Sequence, residues 1–187
     1  MVMQLSNLKP IVAATLLHLT IFVGSVSAQD VEEDQLLAEL SQAEPKDAIR
    51  LDRELQAIWR KSGSPSMDLL LQRGRDAQER GDVREAIEHL TALTDHAPEF
   101  AEGWHARASA FFEAGLYGPA LDDLERALHL NPNNYNAIFG LGTLFEEFGD
   151  PNRAYQAYVR AQAIHPHHEE VTKALDRLKT QVEGEEL

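Results

Sequence analysis

Three prolines, Pro98, Pro132 and Pro166, stand 34 residues apart, and two other residue types keep step with them: Ala86, Ala120 and Ala154, then Gly81, Gly115 and Gly149. A period reported by three residue types is a structural repeat. A 34-residue unit is too small to bury its own apolar face, so copies must stack until a continuous core forms. Spacing within the unit is helical. Trp104, Ala108 and Phe111 fall at i, i+4 and i+7, while Ala120, Leu121, Leu124, Ala127 and Leu128 make a facing stripe. Gly115 lies between them, where a helix end takes a left-handed residue. Two helices per unit and an all-α fold are therefore expected over residues 67–166.

The units resemble the tetratricopeptide repeat, whose pattern is Trp-x2-Leu-Gly-x2-Tyr, then Ala-x3-Phe, then Ala, then Pro. The third unit matches it best, as Ile138-x2-Leu141-Gly142-x2-Phe145, Ala154-x3-Tyr158, Ala161 and Pro166. The second reads Trp104-x2-Arg107-Ala108-x2-Phe111, Ala120-x3-Leu124, Ala127, Pro132, and the first Leu70-x2-Arg73-Gly74-x2-Ala77, Ala86-x3-Leu90, Leu93, Pro98. Arg73 and Arg107 replace the leucine of the pattern; each is expected to lay its stem on apolar surface and keep its head wet. The resemblance implies a right-handed helical solenoid of three helix-turn-helix repeats, 67–100, 101–134 and 135–168. In resembling proteins the first helix of each unit lines a concave groove. Carried over, the lining is Asp68, Leu71, Arg75, Gln78 and Glu79; Glu102, His105, Ser109, Phe112 and Glu113; and Asn136, Phe139, Thr143, Glu146 and Glu147. The set is acidic, with apolar islands at Leu71, Phe112 and Phe139. The expected partner is a segment of another protein with apolar anchors and basic residues. Some members clamp chaperone tails by two carboxylates, using lysine, arginine and asparagine; with only Arg75 basic here, that specialisation is not expected.

Both ends of the chain are also patterned. Residues 30–44 carry Leu36, Leu37 and Leu40 behind an acidic first turn, Pro45 interrupts, and 46–60 carry Ile49, Leu51, Leu55, Ile58 and Trp59 before Ser62-Gly63-Ser64-Pro65. Within the segment 29–64 this predicts two helices capping the first repeat, with a mobile acidic arm as the alternative for the first. Beyond Pro166 a capping helix is expected over 168–182, with Val171, Ala174, Leu175 and Leu178 on its apolar face, then an acidic tail, 183–187.

Composition narrows the function classes. There is no cysteine, which removes disulfides and thiol chemistry, and 31 acids against 17 bases give a net charge of -14, a poor match to nucleic acid or anionic membranes. Residues 1–28 have the form of a secretory signal peptide: Lys9 is the only charge, Ile11 to Val23 is largely apolar, and Val26-Ser27-Ala28 offers a cut before Gln29. Export to a bacterial periplasm is expected, without stable membrane insertion after cleavage; an uncleaved anchor is the alternative. Such a leader on repeats of this kind resembles the small exported tetratricopeptide proteins of Gram-negative bacteria. No nucleophile motif, phosphate loop or His-Glu-x-x-His is present, so neither an enzyme nor a cofactor is expected. The leading expectation is a non-catalytic adaptor or assembly factor. A second, metal binding or delivery, rests on His165, His167 and His168 beside Glu169 and Glu170, residues that also suit a turn and a first helical turn.

Overall fold

The computed structural model describes residues 28–185, with side chains from 31 to 182, so the expected signal peptide lies outside the described residues except for its last residue, Ala28. Every regular element among them is an α-helix. An N-terminal pair, α1 (Ala28–Leu40) and α2 (Pro45–Trp59), precedes three hairpins: α3 (Pro65–Glu79) with α4 (Val83–His96), α5 (Ala101–Glu113) with α6 (Tyr117–Leu130), and α7 (Tyr135–Glu147) with α8 (Pro151–Ile164). α9 (Glu169–Glu185) closes the array and continues helical into the expected acidic tail. None of these helices is long and apolar enough to cross a membrane.

The repeat period becomes geometry at two places. Gly81, Gly115 and Gly149 make the turn within each hairpin at φ of +76°, +72° and +72°, where a side chain would be strained. The next residue donates its N–H five residues back in each case: Asp82 to Ala77, Leu116 to Phe111 and Asp150 to Phe145, at 2.9, 2.8 and 2.8 Å. The other place is the small residue where paired helices touch. A Cβ added to Gly142 would lie 2.4 Å from the Tyr158 ring, and one on Gly74 2.5 Å from Leu90. Asp82, Asn134 and Asp150 cap their helices by accepting from the N–H groups of Glu85, Ala137 and Arg153 at 3.1, 3.1 and 2.9 Å. Glu85 does not reach back to complete a capping box; its carboxylate meets Arg80 at 2.7 Å.

Two expectations are corrected inside the array. Arg73 is exposed, but Arg107 does not keep its head wet: its side chain is 14% exposed and forks onto Asp123 at 2.7 and 2.8 Å, with Thr94 Oγ1 accepting a third bond at 2.7 Å. Its guanidinium also lies 4.9 Å over the Trp104 ring. A buried charge persists when paired and hydrogen-bonded, and Asp123 supplies the pair from α6.

The N-terminal hairpin is the second correction. Ala48, Leu51, Leu55 and Trp59 of α2, with Leu40 of α1, do not extend the core of the first repeat, which comprises Leu71, Ala77, Ala86, Leu90 and Leu93 with Ala106 and Ala110 of α5. They join the core of the third repeat and α9 through Tyr135. Trp59 packs 5.1 Å from the Tyr135 ring and donates to Glu33 at 2.6 Å; Tyr135 donates its hydroxyl to Asp52 at 2.5 Å. Asn131 donates to Glu33 at 3.4 Å, and the His167 ring lies 2.9 Å from the Ala43 carbonyl. The hairpin therefore runs along the turns that link repeats. Ile49, expected on its apolar face, is 58% exposed. At the other end Val171, Ala174, Leu175 and Leu178 of α9 are all buried, as their spacing predicts.

Candidate functional site

α3, α5 and α7, the first helices of the three hairpins, carry three cavities. The first, about 360 Å³, lies where α2 meets α3 and α5, and is bounded by Trp59, Arg60, Arg75, Gln78, Glu79, Glu102, His105 and Asn136. The middle one, about 300 Å³, shares His105 and Asn136 with it and is mostly apolar, walled by Ala108, Phe112, Ala120, Leu124, Phe139 and Leu144. The third, about 320 Å³, shares Phe139 and Thr143 with the middle one and is bounded mainly by charged residues, Glu146, Glu147, Lys173 and Arg177, with Tyr158. The three form one trough with an apolar centre and charged ends.

Its floor is not as the carried-over positions imply. Leu71 is 2% exposed inside the core of the first repeat and offers no anchor. Asp68 is occupied by the backbone and hydroxyl of Ser62, at 2.8 and 2.6 Å. Arg75 is spent on Glu102, a carboxylate 6% exposed, which also meets His105 Nδ1 at 3.2 Å and the Asn134 amide at 3.3 Å. Burial pushes the Glu102 carboxyl up, yet His105, Arg75 and Arg60 together hold it below the usual carboxylate range. Burial likewise lowers Arg75 from its ordinary value.

The remaining positions do face the trough. Gln78 donates to Glu113 at 2.9 Å, while Phe112 and Phe139 are half-buried. Phe139 lies between Tyr158 and His168, with ring centroids at 5.4 and 5.6 Å. Ser109 and Thr143 each give their hydroxyl to the carbonyl one turn back, His105 and Phe139, at 3.2 and 3.1 Å. Glu146 accepts from Tyr158 at 2.6 Å and Arg177 at 2.9 Å, whereas Glu79, Glu113 and Glu147 are exposed. Trp59 of α2, Arg60 just after it and Arg177 of α9 complete the walls, and the repeat pattern holds no signal for them.

The histidine cluster is engaged in packing: the His165 and His168 rings meet edge-on at 5.4 Å. His165 is 6% exposed, edge-on to Tyr135 at 5.0 Å, with Nε2 4.0 Å from Asp52. His168 accepts from the Val171 N–H at Nδ1, 3.3 Å, so its Nε2 carries the proton and donates to Asn136 at 3.2 Å. His167 turns to the hairpin backbone. Among the described residues no three His, Asp or Glu side chains converge as a metal donor set.

Two tetratricopeptide repeat profiles match the chain, one over residues 71–121 and the other over 111–178, which together span all three hairpins and most of α9. The chain belongs to the tetratricopeptide repeat family. A TPR repeat-containing protein of Rhizobium etli is 28% identical over 134 residues, 71% of this chain and 66% of that protein. The BBSome complex member BBS4 homolog of Drosophila melanogaster is 30% identical over 76 residues, which is 41% of this chain but 16% of that one. The chain thus spans just under two thirds of the first relative and a small part of the second. Among solved structures, MamA superposes with a TM-score of 0.59 at 21% identity, covering 85% of this chain and 86% of its own. The first TPR of Spaghetti (RPAP3), bound to an HSP90 peptide, superposes at 0.60 with 24% identity, covering 62% of this chain and 92% of its own. At these identities the likeness is one of fold.

Proposed function

We propose that this tetratricopeptide array is a non-catalytic interaction module, an adaptor or assembly factor of the bacterial envelope, that holds a segment of another protein in its concave trough. The observation that carries the proposal is the middle cavity, an apolar hollow of about 300 Å³ between the charged ends of the trough. A hollow of this kind suits an apolar anchor, and a few buried anchors supply most of the affinity of such contacts. The Ser109 and Thr143 hydroxyls are tied to backbone carbonyls rather than to a base, which fits binding better than nucleophilic catalysis at either.

Fold analogy supports the reading without specifying the ligand. The Spaghetti repeat is bound to an HSP90 peptide, SRMEEVD, a sequence with three acids and one base. Here Arg75 is engaged by Glu102, and the outer positions are the carboxylates Glu79, Glu113 and Glu147, so the chemistry favours a partner of opposite sign. Export rests on the leader-like residues 1–28, of which 1–27 lie outside the described residues.

The test is affinity capture from a periplasmic extract with the chain from Gln29 onward, beside Ser109→Phe, which fills the middle cavity. Alanine at Phe139 would be a blunter probe, because that ring also supports Tyr158 and His168. A specific protein lost from Ser109→Phe, with helicity and melting temperature unchanged, is expected. The same protein held equally by both forms would exclude the trough as its site.

A further inference from the structure

Glu79, Glu113 and Glu147 keep the 34-residue step, and each is the last residue of its helix, α3, α5 and α7. That is the wrong end for a carboxylate. A helix C-terminus carries partial negative charge and favours a cation, yet none of these three helices has a basic residue in its last turn. The second helices of the first two repeats differ, carrying His96 and His129 in their last turns. No ion pair among the described residues involves any of the three glutamates. Arg80, the nearest cation in sequence, is turned to Glu85 on α4. The array thus presents one uncompensated carboxylate per repeat, each beside a set of terminal carbonyls.

The surroundings of this edge are apolar. Phe112, a wall of the middle cavity, leads outward to Tyr117 at 5.3 Å and on to Phe148 at 6.4 Å; Phe148 and Leu116 are each 46% exposed. The Glu147 carboxylate lies close enough to hold the Tyr117 phenol above its usual range. A lysine or arginine here can lay its stem on the rings and its head between carboxylates. At the opposite edge α2 packs on the N-terminus of α7, where Trp59 meets the Tyr135 ring and Asp52 accepts from its hydroxyl, whereas the glutamate edge carries no such cover among the described residues.

Resting on the reading that the trough binds a partner segment, we propose its occupant: an extended, polyproline-like stretch with lysine or arginine at every third residue along Glu79, Glu113 and Glu147, and apolar side chains in the middle cavity. Spacing selects this form. Packed helices lie about 8–10 Å apart, so equivalent glutamates recur at about that step. A polyproline helix returns to the same face every three residues, about 9 Å. A β-strand sends its third residue to the other face, and an α-helix repeats a face at that distance only after about seven residues.

The experiment uses fluorescein-labelled Lys-Leu-Pro peptides, five triplets long, against peptides of the same composition with the lysines in adjacent pairs. Fluorescence anisotropy follows binding to the chain from Gln29 onward at low salt. The triplet peptide is expected to bind about tenfold more tightly than the shuffled one, with each Glu→Gln change at positions 79, 113 and 147 weakening it about threefold. The triple variant is expected to melt at a higher temperature than the parent, an outcome that separates a binding role from a structural one. Equal binding of both peptides, indifference to the three substitutions, or tighter binding of a helical peptide with lysines seven apart would each overturn the proposal. If register has no effect but Ser109→Phe still weakens both peptides, the trough remains the site and only the occupant is wrong. Binding indifferent to Ser109→Phe as well would remove the trough.

Discussion

The two long edges of the trough are made by the same three helices and are opposites in every physical respect. At the N-terminal edge Tyr135 and His165 are buried under a helical hairpin that is not part of the repeat. At the C-terminal edge the chain leaves Glu79, Glu113 and Glu147 in water beside exposed Leu116 and Phe148. The repeated residues build a frame that is nearly symmetric about its helices; the segment before it decides which side stays open. Repetition therefore specifies the groove, and the unrepeated hairpin specifies its access.

The largest expected effect comes from breaking the closed edge. Trp59→Ala removes a side chain that is 7% exposed, its contact with Tyr135 and its bond to Glu33, and is expected to cost about 3–5 kcal/mol. Amide exchange should rise across 45–59 while the first two repeats keep their protection. Unchanged protection of α2 would mean that the hairpin is held by something other than Trp59.

Acidification should loosen the same edge more gently. Burial pushes His165 down to about 4, the neighbouring His168 adding to the effect and Asp52 opposing it; burial lowers His168 too. Both rings are neutral in the folded chain, and the unfolded chain binds more protons as pH falls. The His165 contribution is therefore complete above about 6.5 and is lost as pH drops from there toward about 4, and that of His168 falls in the same direction. Thermal melts across that window should show a decline that is reduced in His165→Leu; an identical slope in the variant would assign the decline elsewhere.

The open edge should respond with the opposite sign and the smallest amplitude. Glu113→Gln removes a carboxylate from a helix C-terminus and is expected to stabilise the free chain by about 0.3–1 kcal/mol at low salt, fading as salt screens it. A destabilised variant would mean that Gln78 gains more from that carboxylate than the helix end loses.

Legibility in the sequence divides along the same line. Prolines, glycines and alanines at a fixed step made the hairpins and their turns readable, because each of those residues meets a local backbone or packing demand: Gly115 a positive φ, Gly142 the face of Tyr158. The docking of the N-terminal hairpin was not readable. It depends on Asp52 with Tyr135 and Ala43 with His167, pairs 83 and 124 residues apart, and no local pattern encodes such distances. Arg107 lay between the two cases. Its partner Asp123 sits among Ala120, Leu124 and Ala127 on an apolar face, and two misplaced charges on facing helices are the available sign of a buried pair. Leu71 was misplaced for a related reason: its position is equivalent to His105 and Phe139, but in the first repeat it is enclosed with Ala106 and Ala110 of α5.

The central claim is that the concave face, and not the convex one, holds a partner. The most direct measurement is amide hydrogen exchange on the chain from Gln29 onward, with and without a protein captured through it. The account predicts added protection in α5 and α7, concentrated around residues 105–113 and 139–147, with α4, α6 and α8 unchanged. Protection confined to α4, α6 and α8 would contradict it.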